Sequence, residues 1–419
     1  MAKGKDTLKK ISESVAVELG STEDGTGLKF EEGFFKKTEE KLETAFHQMI
    51  GIMKFVNSFA YFMGVEFIDD WKLNARTVLG ACFNFTMIID ETYTIYHMYP
   101  SVDCLILIGF ICFTATVSTK LTILSRHHKK YMSAVGYMFQ VLNSNSTGPR
   151  QQIFVDVITK LKYHFKINIG LIVGGISFYV AFPCYNYIFN GILTVISPLW
   201  LPIINSNNLR GYLVNTCYNV FFASFGCSIC VAISCLLLVF VDIYDGLVSL
   251  VELDFASFDD LCEKMERGKM YDFRFKNLLM ELTDLARLNS YMKDLFEIIA
   301  TVQLTMSSIV VVSGIWAFIA FNFVGGLGPS LSFYSEMLMY CYMGQLLDNT
   351  NNRIERVICE AKWYTYEVKY QKDIFTLLYI AQNLQSIRIA NMYPLNFGTG
   401  LNITQNVYSL IMFVLEMFT

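Results

Sequence analysis

The chain has 419 residues, a formal charge of −4, 53% hydrophobic and 17% charged content, and a mean hydropathy of +0.39. That is too apolar for an ordinary soluble domain, and the small net charge gives no support to a nucleic-acid partner or an acidic substrate. Crossing a bilayer as helix takes about 20 apolar residues, and uncharged runs longer than that recur at 167–209, 211–241 and 298–335.

In chain order, Met1 to Phe30 is polar and lysine-bearing and has no apolar core followed by a small-residue cleavage site. The first spanning helix is therefore expected to act as its own insertion signal. Phe46 to Phe67 mixes apolar residues with His47, Lys54 and Glu66, which predicts an amphipathic cytosolic or interfacial helix. Seven spans follow: Leu73–Tyr96, Val102–Leu124, Ile167–Ile196, Tyr212–Val241, Ile298–Val324, Ser330–Leu347 and Ile374–Phe418. The last is too long for one crossing, and Pro394, Gly398 and Gly400 are expected to split it into a cytosolic lower half and a spanning upper half.

The stretch Gly325-Gly326-Leu327-Gly328-Pro329 predicts a tight hairpin between the fifth and sixth spans. The connections 125–166, 242–297 and 348–373 are charged and carry helical patterns such as Leu278, Leu282, Leu285 and Leu288, so they read as helices continuing beyond the bilayer. The expected class is an all-α polytopic membrane protein with seven transmembrane helices. Its parts are a cytosolic segment with an amphipathic helix (1–72), spans one to six with helical extensions (73–350), and an anchor helix with a broken, pore-lining seventh helix (351–419).

Charge placement sets the orientation. Of 33 Lys and Arg, ten precede the first span, eight lie from Lys120 to Lys166, seven from Lys264 to Lys293 and five from Arg353 to Lys372. These groups alternate onto one side, and Arg210 stands alone opposite them. By the positive-inside rule the N-terminus is cytosolic and the C-terminus extracellular, the reverse of a G-protein-coupled receptor. An Asp-Arg-Tyr after the third span and an Asn-Pro-x-x-Tyr in the seventh are also absent. The sequon Asn145-Ser146-Thr147 then falls on the cytosolic side, out of reach of glycosylation.

Three further features have local readings. The eleven cysteines fall mostly in or beside apolar runs, and Cys227-Ser228-Ile229-Cys230 lacks the second pair that a zinc or redox site needs. His127-His128 sits among Arg126, Lys129 and Lys130 as part of a basic collar, and Asp90-Glu91 reads as a solvated helix end rather than an ion site. The sequence offers no nucleophile–base pair, metal spacing or phosphate loop, so neither an enzyme nor a cofactor is expected. A secondary transporter would require inverted repeats, and none is visible.

Three motifs on these spans resemble those of the insect odorant receptors. They are Ser197-Pro198-Leu199-Trp200-Leu201-Pro202 after the third span, the C-x-x-G-x-x-L of Cys341 to Leu347 in the sixth, and Tyr408-Ser409 before an apolar tail. The resemblance implies an odorant-gated, non-selective cation channel subunit in the plasma membrane of olfactory sensory neurons. It also implies a heterotetramer with a shared odorant co-receptor and a central pore lined by the last span. The co-receptor's long loop insertion is absent between Asp242 and Ile298, which implies a tuning subunit. The sister gustatory receptors rank second because their closing Thr-Tyr and Gln-Phe pattern is missing. End-anchored comparison places an apolar constriction at Phe413 and Met417 and a polar position at Glu416, whose carboxylate would draw cations to the pore mouth.

In the last segment Asn402, Gln405, Asn406 and Ser409 share one helical side, suited to a wet pore or another helix. A small volatile needs an enclosed aromatic pocket, and the outer halves of spans three to six supply Phe178, Phe182, Tyr185, Tyr218, Phe222, Trp316, Phe321, Phe333 and Tyr334. Phe178, Phe182 and Tyr185 share a face. The lack of charge in those outer halves predicts a neutral ligand, with Tyr185 or Tyr334 supplying a hydroxyl to a phenol, alcohol or carbonyl.

Overall fold

In the computed structural model, residues 32–62, 64–67, 74–98, 103–144, 149–191, 209–263, 269–321 and 324–418 are described. Nine α-helices run through them: α1 (Glu32–Phe62), α2 (Ala75–Met98), α3 (Asp103–Ser144), α4 (Pro149–Asn190), α5 (Leu209–Glu263), α6 (Lys269–Phe321), α7 (Leu327–Glu360), α8 (Val368–Gln382) and α9 (Phe397–Phe418). Each predicted span falls on a helix, the last on α8 and α9 together. By length and composition α3, α5 and α6 are each apolar enough to cross a membrane. The Ser197–Pro202 motif, the Asn145 sequon and the first 31 residues lie outside the described residues.

At a rise of about 1.5 Å per residue, 42 residues of α3 or α4 reach roughly 60 Å and 55 of α5 roughly 80 Å, against about 30 Å of hydrocarbon. The charged connections are thus, in their described parts, continuations of the spanning helices: α3 runs on to Ser144, α4 starts at Pro149, α5 runs on to Glu263 and α6 starts at Lys269. Helix α7 runs on to Glu360, after which the 3-10 turn Trp363–Thr365 separates it from α8. Leu278, Leu282, Leu285 and Leu288 are each 2% exposed along the extension of α6.

The core forms around α5. Cys230 to Ile243 is buried at every position, including Ser234 and Asp242. A helix that is apolar all round must be enclosed on all sides, and α1, α3, α4, α6 and α7 pack on it. The stripe Met49, Ile52, Met53, Val56 and Ala60 of α1 is buried in that core, while Lys54 and Phe55 face outward. Gly64, at φ +73°, closes α1, and its carbonyl accepts from Thr77 Oγ1 at 2.7 Å. Asn74 in turn caps α2 through Thr77 N at 2.9 Å.

The predicted hairpin is a 3-10 turn, Val324–Gly326, between α6 and α7. It brings Gly314 and Gly326 together so closely that a Cβ on Gly326 would stand 2.9 Å from the Gly314 carbonyl oxygen. The break in the last span needs correction. The chain leaves the helix at 383–396, where Arg388–Ile389 pairs antiparallel with Tyr393–Pro394, whereas Gly398 and Gly400 lie within α9. Only Pro394 marks the break.

Toward the end of the bundle that carries the connections, His164 Nδ1 is hydrogen-bonded to Asp242 Oδ2 at 2.7 Å and its Nε2 to the Tyr342 hydroxyl at 2.9 Å. Further along, Arg150 pairs with Asp254 beside Glu281. Burial, and then the hydrogen bond and negative charge of Asp254, push the Glu281 carboxyl up to about 8 from an ordinary 4.5. Between those two values the native chain holds a proton that the unfolded chain has lost, so stability falls as pH rises across that window and levels off above about 8. Glu281→Gln keeps a hydrogen-bond donor toward Asp254 without the titration. Melting temperatures of the purified protein from pH 5 to 9 are expected to decline more steeply for wild type than for the Gln variant. Parallel curves would exclude Glu281 as the titrating group.

Candidate functional site

Five helices line a half-open cavity of about 120 Å³ beside the α6–α7 hairpin. Small residues open it: Gly109 on α3, Gly175 on α4, Ala223 on α5, and Gly314 and Ala317 on α6 all line it. A Cβ on Gly175 would lie 1.6 Å from Ser332 Oγ, so α4 and α7 approach here at a distance only glycine permits. Four phenylalanines, Phe110, Phe113, Phe222 and Phe333, form walls, with Phe113 edge-on to Phe222 at 5.6 Å and to Phe333 at 6.0 Å. The serine hydroxyls are spent on their own helices, Ser313 on Val310 O and Ser332 on Gly328 O, both at 3.1 Å.

One strongly polar group remains in the lining. Glu336 is 7% exposed and accepts from Lys120 Nζ at 2.8 Å and from Ser234 Oγ at 3.2 Å. Lys120 is 1% exposed, with its ammonium 5.6 Å from the Tyr340 ring centroid. Lys120, counted with the positive charges of the cytosolic side, therefore belongs to an interior salt bridge. The expected absence of charge from the outer halves of spans three to six is corrected: Glu336 of the sixth span lines the cavity and is balanced by Lys120. Asp90 and Glu91 are corrected likewise. Glu91 is 2% exposed and accepts from Thr114 Oγ1 at 2.7 Å, and Asp90 accepts from the Tyr218 hydroxyl at 2.7 Å. Both carboxylates join helices, Glu91 buried and Asp90 half-buried.

Of the predicted aromatic residues, Phe222 and Phe333 line the cavity together. Tyr218, one turn from Phe222, packs its ring 5.9 Å from Phe83 behind that wall. Trp316 lines a separate groove between α6 and α9, with Ile309, Val312, Asn406 and Leu410. The Tyr334 hydroxyl reaches Thr404 of α9 at 3.5 Å. Phe178 and Tyr185 stand on the outer surface of α4, 45% and 56% exposed. The side chains of Phe182, Phe321 and Met417 lie outside what is described. Sequence reasoning missed Phe113, which sits on the second span, and missed Lys120 and Glu336. The signal for the last two was available, because a single ionisable residue within an apolar run marks a site by default.

The C-x-x-G-x-x-L motif has a packing explanation. A Cβ on Gly344 would lie 1.9 Å from the Leu395 carbonyl oxygen, and one on Gly400 2.9 Å from Cys341 Sγ. The motif is the seat on which α9 begins, and Asn396 caps that start through Thr399 N at 2.9 Å. Beyond the seat, Gly400 is buried and Ile403 and Thr404 are half-buried, whereas Asn402, Gln405, Asn406, Ser409, Phe413 and Glu416 are exposed on the single chain.

These features coincide with known proteins. The sequence pattern of the family described as 7tm Odorant receptor matches residues 106–408, and the chain belongs to that family. Over 121 residues it is 28% identical to putative odorant receptor 83c of Drosophila melanogaster, an alignment covering 29% of this chain and 30% of that relative. The fold is that of the insect olfactory receptor OR5 from Machilis hrabei, with a TM-score of 0.69 at 12% identity over 92% of this chain and 99% of that one. The same receptor in complex with eugenol gives a TM-score of 0.68 at 11% identity, covering 91% and 99%. The chain is thus an all-α, polytopic membrane protein of the insect odorant receptor family.

Gly344→Ala forces its methyl against a backbone carbonyl that no rotamer change can move. It is expected to cost about 3 kcal/mol or more, read as a lower melting temperature in detergent. Gly170→Ala, where nothing lies within 4 Å, is the control and should gain about 0.5–1 kcal/mol from helix propensity. Equal effects at the two sites would remove the seat from the account of α9.

Proposed function

We propose that this chain is a tuning subunit of an odorant-gated, non-selective cation channel, and that a small neutral volatile bound in the α3–α7 cavity opens a central pore. The observation that carries this is the connection of pocket to pore helix through α7. Phe333 and Glu336 line the cavity, and Cys341 and Gly344, within three turns on the same helix, hold the start of α9. A ligand that fits the cavity better in one setting of α7 shifts α9 with it, by as much as its affinities for the two settings differ.

The exposed side of α9 supports a role at an assembly axis. Its polar residues have no reason to face lipid, so they are assigned to a wet pore, with Phe413 and Met417 as the apolar constriction and Glu416 as the cation-attracting group. The chain is assigned a cytosolic N-terminus, an extracellular C-terminus, partnership with an odorant co-receptor in a heterotetramer, and residence in the plasma membrane of olfactory sensory neurons. The eugenol complex of the Machilis receptor supports a small volatile as the ligand class.

The test is whole-cell current in cells lacking odorant receptors, with and without co-receptor, during a panel of neutral aromatic and terpenoid volatiles. Fast cation current requiring this chain is expected, and silence despite surface expression would overturn the reading. Phe413→Ala should raise the basal current several-fold, and a current still wholly dependent on ligand would remove that residue from the gate. Glu416→Gln should reduce divalent permeability, whereas unchanged ion selectivity would exclude a cation ring at that position.

A further inference from the structure

We infer that Glu336 is the specificity-determining contact of the cavity and that it selects a compact, neutral hydroxyl compound, a phenol or an alcohol, over the matching ether, ester or hydrocarbon. This rests on reading the cavity as the ligand site. Both hydrogen bonds to Glu336 fall on one carboxylate oxygen, Oε1, from Lys120 and from Ser234. The residue lines the cavity, and among the described residues its second oxygen, Oε2, receives no hydrogen bond. A carboxylate only accepts, and an ionised acceptor makes stronger hydrogen bonds than a neutral one.

The rest of the lining offers that group only weaker, neutral acceptors. The Ser313 and Ser332 hydroxyls donate to Val310 O and Gly328 O, and most of the remaining surface is glycine, alanine and phenylalanine. The two tyrosines expected to anchor a ligand are elsewhere, Tyr334 on Thr404 and Tyr185 on the outer surface. A ligand O–H directed at Oε2 is satisfied. An ether or carbonyl oxygen there sets lone pair against lone pair, and an alkyl group leaves the acceptor unpaired.

Charge and size narrow the class. Lys120 already balances Glu336, so an ammonium ligand would add a third charge to a desolvated pair. The volume, about 120 Å³, is close to that of an apolar cavity of about 150 Å³ that takes benzene, which suits one six-membered ring with a small substituent.

The experiment uses 4-methylphenol and its methyl ether, 4-methylanisole, with two readouts: the melting temperature of the purified full-length chain, which reports binding alone, and current in cells carrying the co-receptor. In wild type the phenol should act at concentrations roughly tenfold or more below the ether. In Lys120→Met/Glu336→Met, which replaces the pair with apolar groups of similar volume, the ratio should fall to about one while the ether still binds. In Glu336→Gln, Lys120 holds the amide oxygen and the amide nitrogen takes the place of Oε2, so the preference should invert toward the ether. Equal action in wild type, a preference retained in the double variant or in Glu336→Gln, or no shift with the phenol would each overturn the assignment. A phenol-selective melting shift without current would leave Glu336 in its role and reject the channel reading.

Discussion

A backbone amide in hydrocarbon has no water to bond to, so every segment that crosses must be helix or closed barrel, and this constraint shapes the whole chain. It explains why the seven spans are long helices, and why the chain reverses between α6 and α7 through a 3-10 turn. Among the described residues, the one extended pair, Arg388–Ile389 with Tyr393–Pro394, lies between α8 and α9, where it packs on α6 and Ala390 N bonds to Thr301 Oγ1. Because hydrocarbon gives apolar side chains little reason to cluster, cohesion between the spans comes from close approach and from polar bonds. The Gly175–Ser332 and Gly314–Gly326 contacts supply the first, and the Glu91–Thr114, Asp90–Tyr218 and Lys120–Glu336 bonds the second. Beyond the bilayer the ordinary rules return, and the leucine stripe of α6 is buried as in a soluble bundle.

The fold was legible where hydropathy and turn chemistry act locally. Seven apolar segments, the Gly325–Pro329 hairpin and the helical extensions follow from residue type and period alone. The break in the last span was legible only at Pro394, because a glycine within a helix is read as a breaker unless the partner that needs it is known. Gly400 is there so that Cys341 can lie against it, and Gly344 so that the Leu395 carbonyl can. Both contacts join residues distant in sequence.

The site was less legible for the same reason. Aromatic residues at helical spacing do not announce which side of their helix meets a cavity. Phe222 and Phe333 face it, Phe178 and Tyr185 face outward, and Trp316 faces α9. Lys120 illustrates a different failure. Counted by position, it belongs to the basic end of the second span, and only the arrival of Glu336 from a helix 216 residues later makes it an interior group.

That separation also bears on how the chain is made. Spans enter the membrane in order, so α5, whose middle is destined for complete enclosure, must spend time against lipid before α6 and α7 exist. Its uniformly apolar surface makes that wait inexpensive. Lys120 has the opposite problem: its ammonium sits within the second span while its counter-charge is still on the ribosome, and a long lysine side chain can meanwhile reach toward the headgroups. Withdrawal of that ammonium from the interface onto Glu336 is then a late event of assembly, and it ties completion of the bundle to emergence of the sixth span.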